Sequence, residues 1–367
     1  MKRIWSQCLK ELAQFRRDRL TVALAILLPL ITLLLFGTAI RLQAEDLPVV
    51  IQDFERGLLS RDFIEQIFAT NQFQPVDGFS DNPIRALEQG VAKGVVVIPP
   101  DFDRRIRDEQ TATVQVVIDG TDTNNARIVQ NNIRATITSF LNTANLQSSQ
   151  PRVDAETRLW FNPGRKESLY VVPGVYGLIL WIYPSLLAAV AMVRDKERGT
   201  ILQVYASSLS ATELLLGKGL AYFFVGVAEA LTVISLGSIF SGVGLAGDPT
   251  SLIVGTAIFL ATSIMFGLFV GTRTNTQDAA VQGTSTVGFM TALLLSGFLY
   301  PTSNIPFPLS LISRIVPARY YLQITRDAFV RGAGWRAVWL QCLIMVAICV
   351  LLFTITRRML RRMQLSE

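Results

Sequence analysis

Apolar residues along the chain gather into six long runs, at 20–40, 172–193, 219–241, 251–272, 283–300 and 338–356, separated by polar or mixed stretches. A helix needs about 20 apolar residues to cross ~30 Å of hydrocarbon, and these runs meet or approach that length. The pattern therefore predicts six transmembrane helices. The first run, LTVALAILLPLITLLLFGTAI, is longer than the roughly 7–15 apolar residues of a secretory signal, and no small-residue cleavage site follows it. It reads as a retained span. Ahead of it, residues 1–19 place Ile4, Trp5, Cys8, Leu9, Leu12 and Phe15 on one helical face. Arg3, Gln7, Lys10, Glu11, Gln14 and Arg17 lie on the other. That division suits a helix lying in the cytoplasmic interface.

Between the first and second runs the periodicity changes. Residues 41–168 alternate short strand-like runs (LPVVIQD, FQPVDGF, AKGVVVIP, ATVQVVIDG, VDAETRLWF) with helical patterns (SRDFIEQIFAT, NPIRALEQG, DFDRRIRDEQ). A long helix is expected at about 123–145, with Ala126, Val129, Ile133, Ile137, Phe140 and Leu141 as its packing stripe. Strand alternating with helix implies an α/β domain of roughly five strands, and NLQSSQPR reads as a linker to the last of them. Near the other end, residues 301–337 are too broken by proline to cross as one helix and too apolar for a free loop. They are expected to dip into the outer leaflet as short helices.

Composition agrees with a membrane protein: half the residues are hydrophobic, 17% are charged, and mean hydropathy is +0.40. Lys and Arg in short flanks set orientation. Residues 1–19 carry Lys2, Arg3, Lys10, Arg16, Arg17 and Arg19, and the tail 357–367 carries Arg357, Arg358, Arg361 and Arg362. Both termini are thus expected in the cytoplasm, with residues 41–168 outside and residues 194–218 inside. One segment conflicts: the outer loop 301–337 holds Arg314, Arg319, Arg326, Arg331 and Arg336 against Asp327 alone. The net charge of +6 belongs mostly to membrane flanks, whereas residues 41–168 hold 18 acidic against 14 basic residues, so no nucleic-acid partner is expected. The three cysteines, Cys8, Cys342 and Cys349, lie outside that segment, and the chain has no histidine. Neither a disulfide nor a metal site is anticipated.

The stretch RDKERGTILQVYASSLSATELLLGKG, residues 194–219, ends in a Gly-Lys pair like half of a phosphate loop. Such a loop needs a glycine five positions earlier and Ser or Thr after the lysine, and Thr212 and Gly219 stand there instead. Ser210 followed by Glu213 is a capping-box spacing, so a helix is expected to begin at SATELLLGKG. Helix, turn and helix then make a projecting cytoplasmic elbow.

These residues carry a resemblance. RDKERGTILQVYASSLSATELLLGKGLAYFFVG is similar to the signature of permease subunits of type 2 ABC (ATP-binding cassette) exporters. LPVVIQD, LSRDF, GVVVIPPDF and VIDGTDTNNA resemble the outer domain of the subgroup with a large insert after the first span. RLWFNPGRKESLYVVPGV, LSGFLYPTSNIPFPL and VPARYYLQITRDAFVRGAG resemble its return to the membrane and its last outer loop. The resemblance implies a mainly α membrane protein of six transmembrane helices, with an α/β extracytoplasmic domain between helices 1 and 2, in a bacterial inner membrane. It also implies a dimer, homomeric or paired with a second permease, served by separate cytoplasmic ATPase subunits that use ATP and Mg. This chain itself would bind no cofactor. ATPase coupling then falls on Arg194, Asp195, Glu197, Arg198, Gly199, Ser210, Glu213, Gly217 and Lys218.

Within the third run sits Glu229, in VGVAEALTV. A carboxylate at that depth costs at least ~2.5 kcal/mol on insertion scales, so it is expected to face the bundle interior or a cavity. It would serve either as a contact for cationic substrates or a proton-linked group, or as a neutral hydrogen-bonded tie between helices. Catalysis finds little support, since Asp119 and Asp122 read as a turn and Asp101 with Asp103 as a helix start. Export of a drug-like compound, lipid or peptide is the function implied. The alternative is a membrane receptor or sensor with an extracytoplasmic ligand-binding domain.

Overall fold

The computed structural model describes residues 1–39, 47–70, 72–76, 78–79, 83–108, 110–119, 123–143, 168–199, 209–299 and 302–365. The chain divides into two compact units, residues 1–40 with 158–367 and residues 41–157.

The larger unit is helical. Helix α1 (Lys2–Arg17) meets α2 (Arg19–Ala39) at an angle of 77°. Asp18 sits at the corner and accepts hydrogen bonds from the Thr21 amide (3.2 Å) and hydroxyl (2.6 Å), which satisfies an open amide at the start of α2. The long helices that follow, after α3–α6 of the smaller unit, are α7 (Ser168–Glu197), α8 (Ala211–Ser241), α9 (Pro249–Arg273) and α13 (Trp335–Leu365). Each of these four is long and apolar enough to cross a membrane, and α1–α2 would make five if counted as one bent span.

The run expected at 283–300 forms α10 (Gln277–Leu294), which falls short of that test. Its first half is the polar stretch QDAAVQGTST, and the helix ends before Ser296 and the positive-φ Gly297. The segment 302–331 is a series of short helices: one 3-10 turn, α11 (Leu309–Ser313), α12 (Pro317–Arg326) and a π turn at Asp327–Arg331. Arg357, Arg358 and Arg361 continue α13 and do not form a separate tail.

Helix α7 is the axis of this unit. It packs against α2, α8, α9, α10 and α12, and its Tyr176, Ile179, Leu180 and Ala188 are fully buried. Its closest neighbour is α9, where Gly267 and Gly271 stand four residues apart. A Cβ at Gly267 would lie 2.0 Å from the Ser185 carbonyl, and one at Gly271 would lie 2.6 Å from the Ala189 carbonyl. Small residues at this spacing let two backbones touch, which is how helices gain contact where lipid is as apolar as the side chains.

The smaller unit contains a four-stranded sheet in the order β2-β1-β3-β4, built from β1 (Leu47–Asp53), β2 (Phe73–Pro75), β3 (Gly94–Ile98) and β4 (Gln115–Ile118). Strand β1 runs parallel to β2 and β3, and β4 is antiparallel to β3. The helices are α3 (Leu58–Ala69), α4 (Pro83–Glu88), α5 (Phe102–Arg107) and α6 (Thr123–Thr143). Two-residue periodicity splits adjacent positions between faces. Val49, Val96 and Ile98 pack with Phe63, Phe102 and Phe140, while Val50 and Val95 pack with Ala86 and Ala92. The fifth strand expected at VDAETRLWF, along with the turn residue Asp122, lies outside the described residues.

The aspartates at the start of α5 do not act together. Asp101 pairs with Arg105 at 2.5 Å, whereas Asp103 reaches across to accept from the amides of Leu59 and Ser60, capping α3 from a distance. Asp119 pairs with Lys93 at 2.9 Å.

The α7–α9 contact yields a prediction. Gly267→Ala forces a methyl group into the α7 backbone and should destabilise detergent-purified protein by about 1–3 kcal/mol, the usual cost of overpacking. Gly288→Ala on α10, where the nearest atom is 3.6 Å away, should leave the thermal midpoint nearly unchanged. Equal midpoints for the two variants would refute close backbone contact at Gly267.

Candidate functional site

The elbow is built from the two helix ends that bracket it. Helix α7 runs without a break through Arg194, Asp195 and Glu197, so the charged segment is the last turn of a long apolar helix. Arg198 and Gly199, the latter at φ +68°, leave the helix. Residues 200–208 lie outside the described residues. Helix α8 then starts with a complete capping box: the Ser210 hydroxyl accepts from the Glu213 amide at 3.2 Å, and Glu213 accepts from the Ser210 amide at 2.9 Å.

The nine coupling candidates separate by burial. Glu197, Arg198, Gly199 and Ser210 are exposed and Glu213 half-buried, but Arg194, Asp195, Gly217 and Lys218 are buried. Lys218, 1% exposed, is the hub. Its ammonium lies 2.7 Å from Glu11 of α1 and 2.6 Å from Asp195 of α7, and it donates to the Ala191 carbonyl at 3.2 Å. Gln7 donates to Glu11 at 3.0 Å, and Lys10 approaches both Glu11 and Asp195 within 4 Å. Two cations thus face two carboxylates where α1, α7 and α8 meet. Gly217 makes the approach possible, since a Cβ there would lie 2.6 Å from the Gln7 side chain. A second link runs from Arg194 to Asp18 at 3.4 Å. Hydrogen bonds from Thr21, followed by the Arg194 and Arg198 charges, hold the Asp18 carboxyl below the usual carboxylate range.

This arrangement corrects the sequence reading of α1. Part of its polar face, Gln7 and Glu11, is buried against the bundle together with Cys8, whereas Trp5 and Leu9 of the apolar face are about half exposed. The reason is electrostatic: Lys218, set inside the elbow, requires a carboxylate, and Glu11 supplies it. The available signal was Glu11 itself, the single acidic residue among the bases of a 16-residue amphipathic helix.

The neighbouring pair, Lys196 and Glu197, holds the turn between α9 and α10. Lys196 donates to the carbonyls of Gly271 (2.8 Å), Thr272 (2.6 Å) and Thr274 (2.9 Å), neutralising open acceptors at the end of α9. Glu197 accepts from the Gln277 amide at 2.7 Å and also from its side chain, at the start of α10. Opposite charges on adjacent residues therefore meet opposite helix ends. Sequence reasoning missed Lys196, Gln277, Asp18 and Lys10, because their partners lie on other helices.

Glu229 stands apart from this cluster, near the middle of α8. It is 8% exposed, and neither carboxylate oxygen has a hydrogen-bond partner.

Residues 19–358 match the family described as ABC-2 family transporter protein. Relatives include the Probable multidrug ABC transporter permease YbhS of Escherichia coli (strain K12), 30% identical over 338 residues that cover 90% of this chain and 89% of the relative. The Probable multidrug ABC transporter permease YbhR of the same organism is 28% identical over 342 residues, 92% of each chain. The Inner membrane transport permease YhhJ, again of that strain, is 24% identical over 366 residues, or 97% of this chain and 96% of its own.

Removing the hub strands two buried carboxylates, so Lys218→Ala should cost about 3–5 kcal/mol of stability. Lys10→Ala removes an ammonium that is 44% exposed and should cost no more than about 1 kcal/mol. Unfolding of the purified protein reports both values, and comparable losses would show that the buried pairs do not hold α1 in place.

Proposed function

The chain belongs to the ABC-2 transporter family, and on that premise we propose that it is the membrane-spanning permease subunit of an ATP-driven exporter. Separate cytoplasmic ATPase subunits hydrolyse ATP with Mg and drive it, and two permease subunits, identical or paired, form the path. The cargo is hydrophobic or amphipathic. Relatives named as probable multidrug permeases favour a drug-like compound over a lipid or peptide.

In this reading the chain crosses a bacterial inner membrane six times, counting α2 and α10. Both termini and the elbow lie in the cytoplasm, residues 41–168 lie outside, and segment 301–337 dips into the outer leaflet. The exposed Trp5 and Leu9 of α1 meet lipid, which suits a helix lying in the interface.

The observation that carries the proposal is the double clamp at the end of α7. Lys218 ties that end to α1 and α8, while Lys196 and Glu197 tie it to the turn between α9 and α10. A push on the exposed tip at Glu197, Arg198, Gly199 and Ser210 is therefore delivered to α1, α7, α8, α9 and α10 together. Coupling needs such a stiff element, continuous with several spans, so that motion of the ATPases can bias one helix packing over another. Arg194, Asp195, Gly217 and Lys218 serve coupling by holding the elbow, and the exposed residues touch the partner.

Arg198 tests the contact, because it is exposed and lies beyond the end of α7. Arg198→Glu should weaken binding of the ATPase subunits at least about tenfold, in the manner of a reversed interface charge, and abolish ATP-dependent transport in proteoliposomes without lowering permease expression. Normal transport in that variant would exclude a coupling role for the tip.

Orientation is tested separately, in a background with Cys8, Cys342 and Cys349 replaced. A cysteine at Asp248, before α9, should react with an impermeant thiol reagent applied outside cells, and one at Asn275, after α9, should react only in inverted vesicles. The opposite pattern would reverse the topology.

A further inference from the structure

Helices α2 and α8 enclose, with the end of α1, a groove of about 460 Å³, within the size range of small-molecule sites. Its wall runs from Phe224 to Val233 on α8 and from Val22 to Leu30 on α2, which at 1.5 Å per residue is about 12–14 Å. That is close to the depth of one leaflet, half of the ~30 Å hydrocarbon core. The groove opens away from the bundle, since Ile26 on one rim and Phe224 on the other are about half exposed, and Ala228 is exposed as well.

Charge is confined to one end. Glu229 belongs to the wall, but both its carboxylate oxygens are buried, and the Thr232 hydroxyl donates to the Ala228 carbonyl of its own helix. Arg16 remains as the only accessible charge along the groove. It follows Phe15, whose ring meets Tyr222 of α8 edge-on, so it marks the end of the groove nearest Phe224. Arg17 and Arg19 are exposed at the same corner. Asp18, the one acid among them, is already bonded to Thr21 and paired with Arg194. Among the described residues, none of the three guanidinium groups has a hydrogen bond or an ion pair.

We propose that this groove holds an acyl chain of an anionic phospholipid, with the phosphate among Arg16, Arg17 and Arg19, and that the lipid is a fixed constituent of the protein and not its cargo. An apolar trough one leaflet deep that ends in unpaired arginines matches such a lipid in both length and charge, and basic residues beside a span attract anionic headgroups. A second copy of the chain is a poorer occupant, because a two-fold contact between parallel chains would set the same arginines against each other at one depth. Free phosphate would use the cations alone and leave the apolar trough unfilled. The lipid closes the gap between α2 and α8 and anchors the 77° corner of α1 and α2 at headgroup depth. The topology proposed above serves only to assign it to the inner leaflet.

The test titrates the full-length protein, delipidated in detergent, with dioleoylphosphatidylglycerol or dioleoylphosphatidylcholine, whose chains are identical, and reads occupancy by native mass spectrometry. The anionic lipid should bind at least about fivefold more tightly, and Arg16→Gln should weaken it by about fivefold while leaving the zwitterionic lipid unchanged, the effect of one basic residue at a membrane surface. Ala228→Trp, which fills the groove, should weaken both lipids, and glycerol phosphate, a headgroup without chains, should displace neither. Equal affinity for the two lipids, an anionic-lipid affinity indifferent to either substitution, or displacement by glycerol phosphate overturns the proposal. Should Ala228→Trp fail to fold, the exposed Arg16→Gln and the comparison of headgroups decide. Ala228→Cys, with the three native cysteines replaced, should form no disulfide between copies under copper phenanthroline, and cross-linking there would give the groove to a second copy and overturn the lipid site. Neither ATPase nor transport enters these measurements, so a negative result here leaves the exporter reading standing, and failure of that reading leaves a positive result here intact.

Discussion

A lysine ammonium almost wholly removed from solvent must be compensated, and much of the elbow's architecture answers that requirement. Lys218 meets Glu11 at 2.7 Å and Asp195 at 2.6 Å, so the packing of α1 on the bundle and the register between α7 and α8 are set by one charge. Such buried pairs are weak contributors to net stability, because desolvation offsets much of the Coulomb attraction, but breaking one is costly. What they supply is a definite arrangement, since α1 cannot slide along α8 without separating Glu11 from Lys218. Gly217 belongs to the same device, as the side chain before the hub must vanish for Gln7 and Glu11 to come close.

The other constraint is contact in a medium that offers no hydrophobic drive between helices. Gly267 and Gly271 bring α9 onto the backbone of α7, and Lys196 then binds three carbonyls where α9 ends. Backbone contact along the helix and charge contact at its end fix the same pair of elements. Electrostatic links thus gather at one end of the α7–α8–α9 group, next to the exposed residues through which a partner would act. The unpaired Glu229, deep in α8, contrasts with this: every carboxylate of the elbow cluster has a partner, and this one does not.

Much of the helical content was legible in the chain because its signals are local. Long apolar runs made α7, α8, α9 and α13 visible, and the Ser210–Glu213 spacing marked the start of α8. Short apolar runs in LPVVIQD and VVVI marked β1 and β3. Where local signals mixed, the reading strayed. The run at 283–300 forms only part of a helix that begins earlier, at Gln277 in the polar QDAAVQG, and ends earlier, at Leu294. The two faces of α1 were located, yet nothing in its periodicity showed that Gln7 and Glu11 of the polar face are buried.

The sequence by itself determined which segments are helical and apolar, where α8 begins, that Gly217-Lys218 is no phosphate loop, and that a carboxylate sits in the third apolar run. These follow from composition and spacing within one element, which tertiary contacts do not alter. Only the tertiary structure decided that Lys218 is a buried hub and not a surface contact, that Asp103 caps a helix 43 residues away, and that Glu197 reaches Gln277, 80 residues on. It alone left the Glu229 carboxyl buried without a hydrogen-bond partner. The reason is physical: the energy of a charge depends on what surrounds it, and in a bundle the surroundings of one helix are supplied by residues far along the chain.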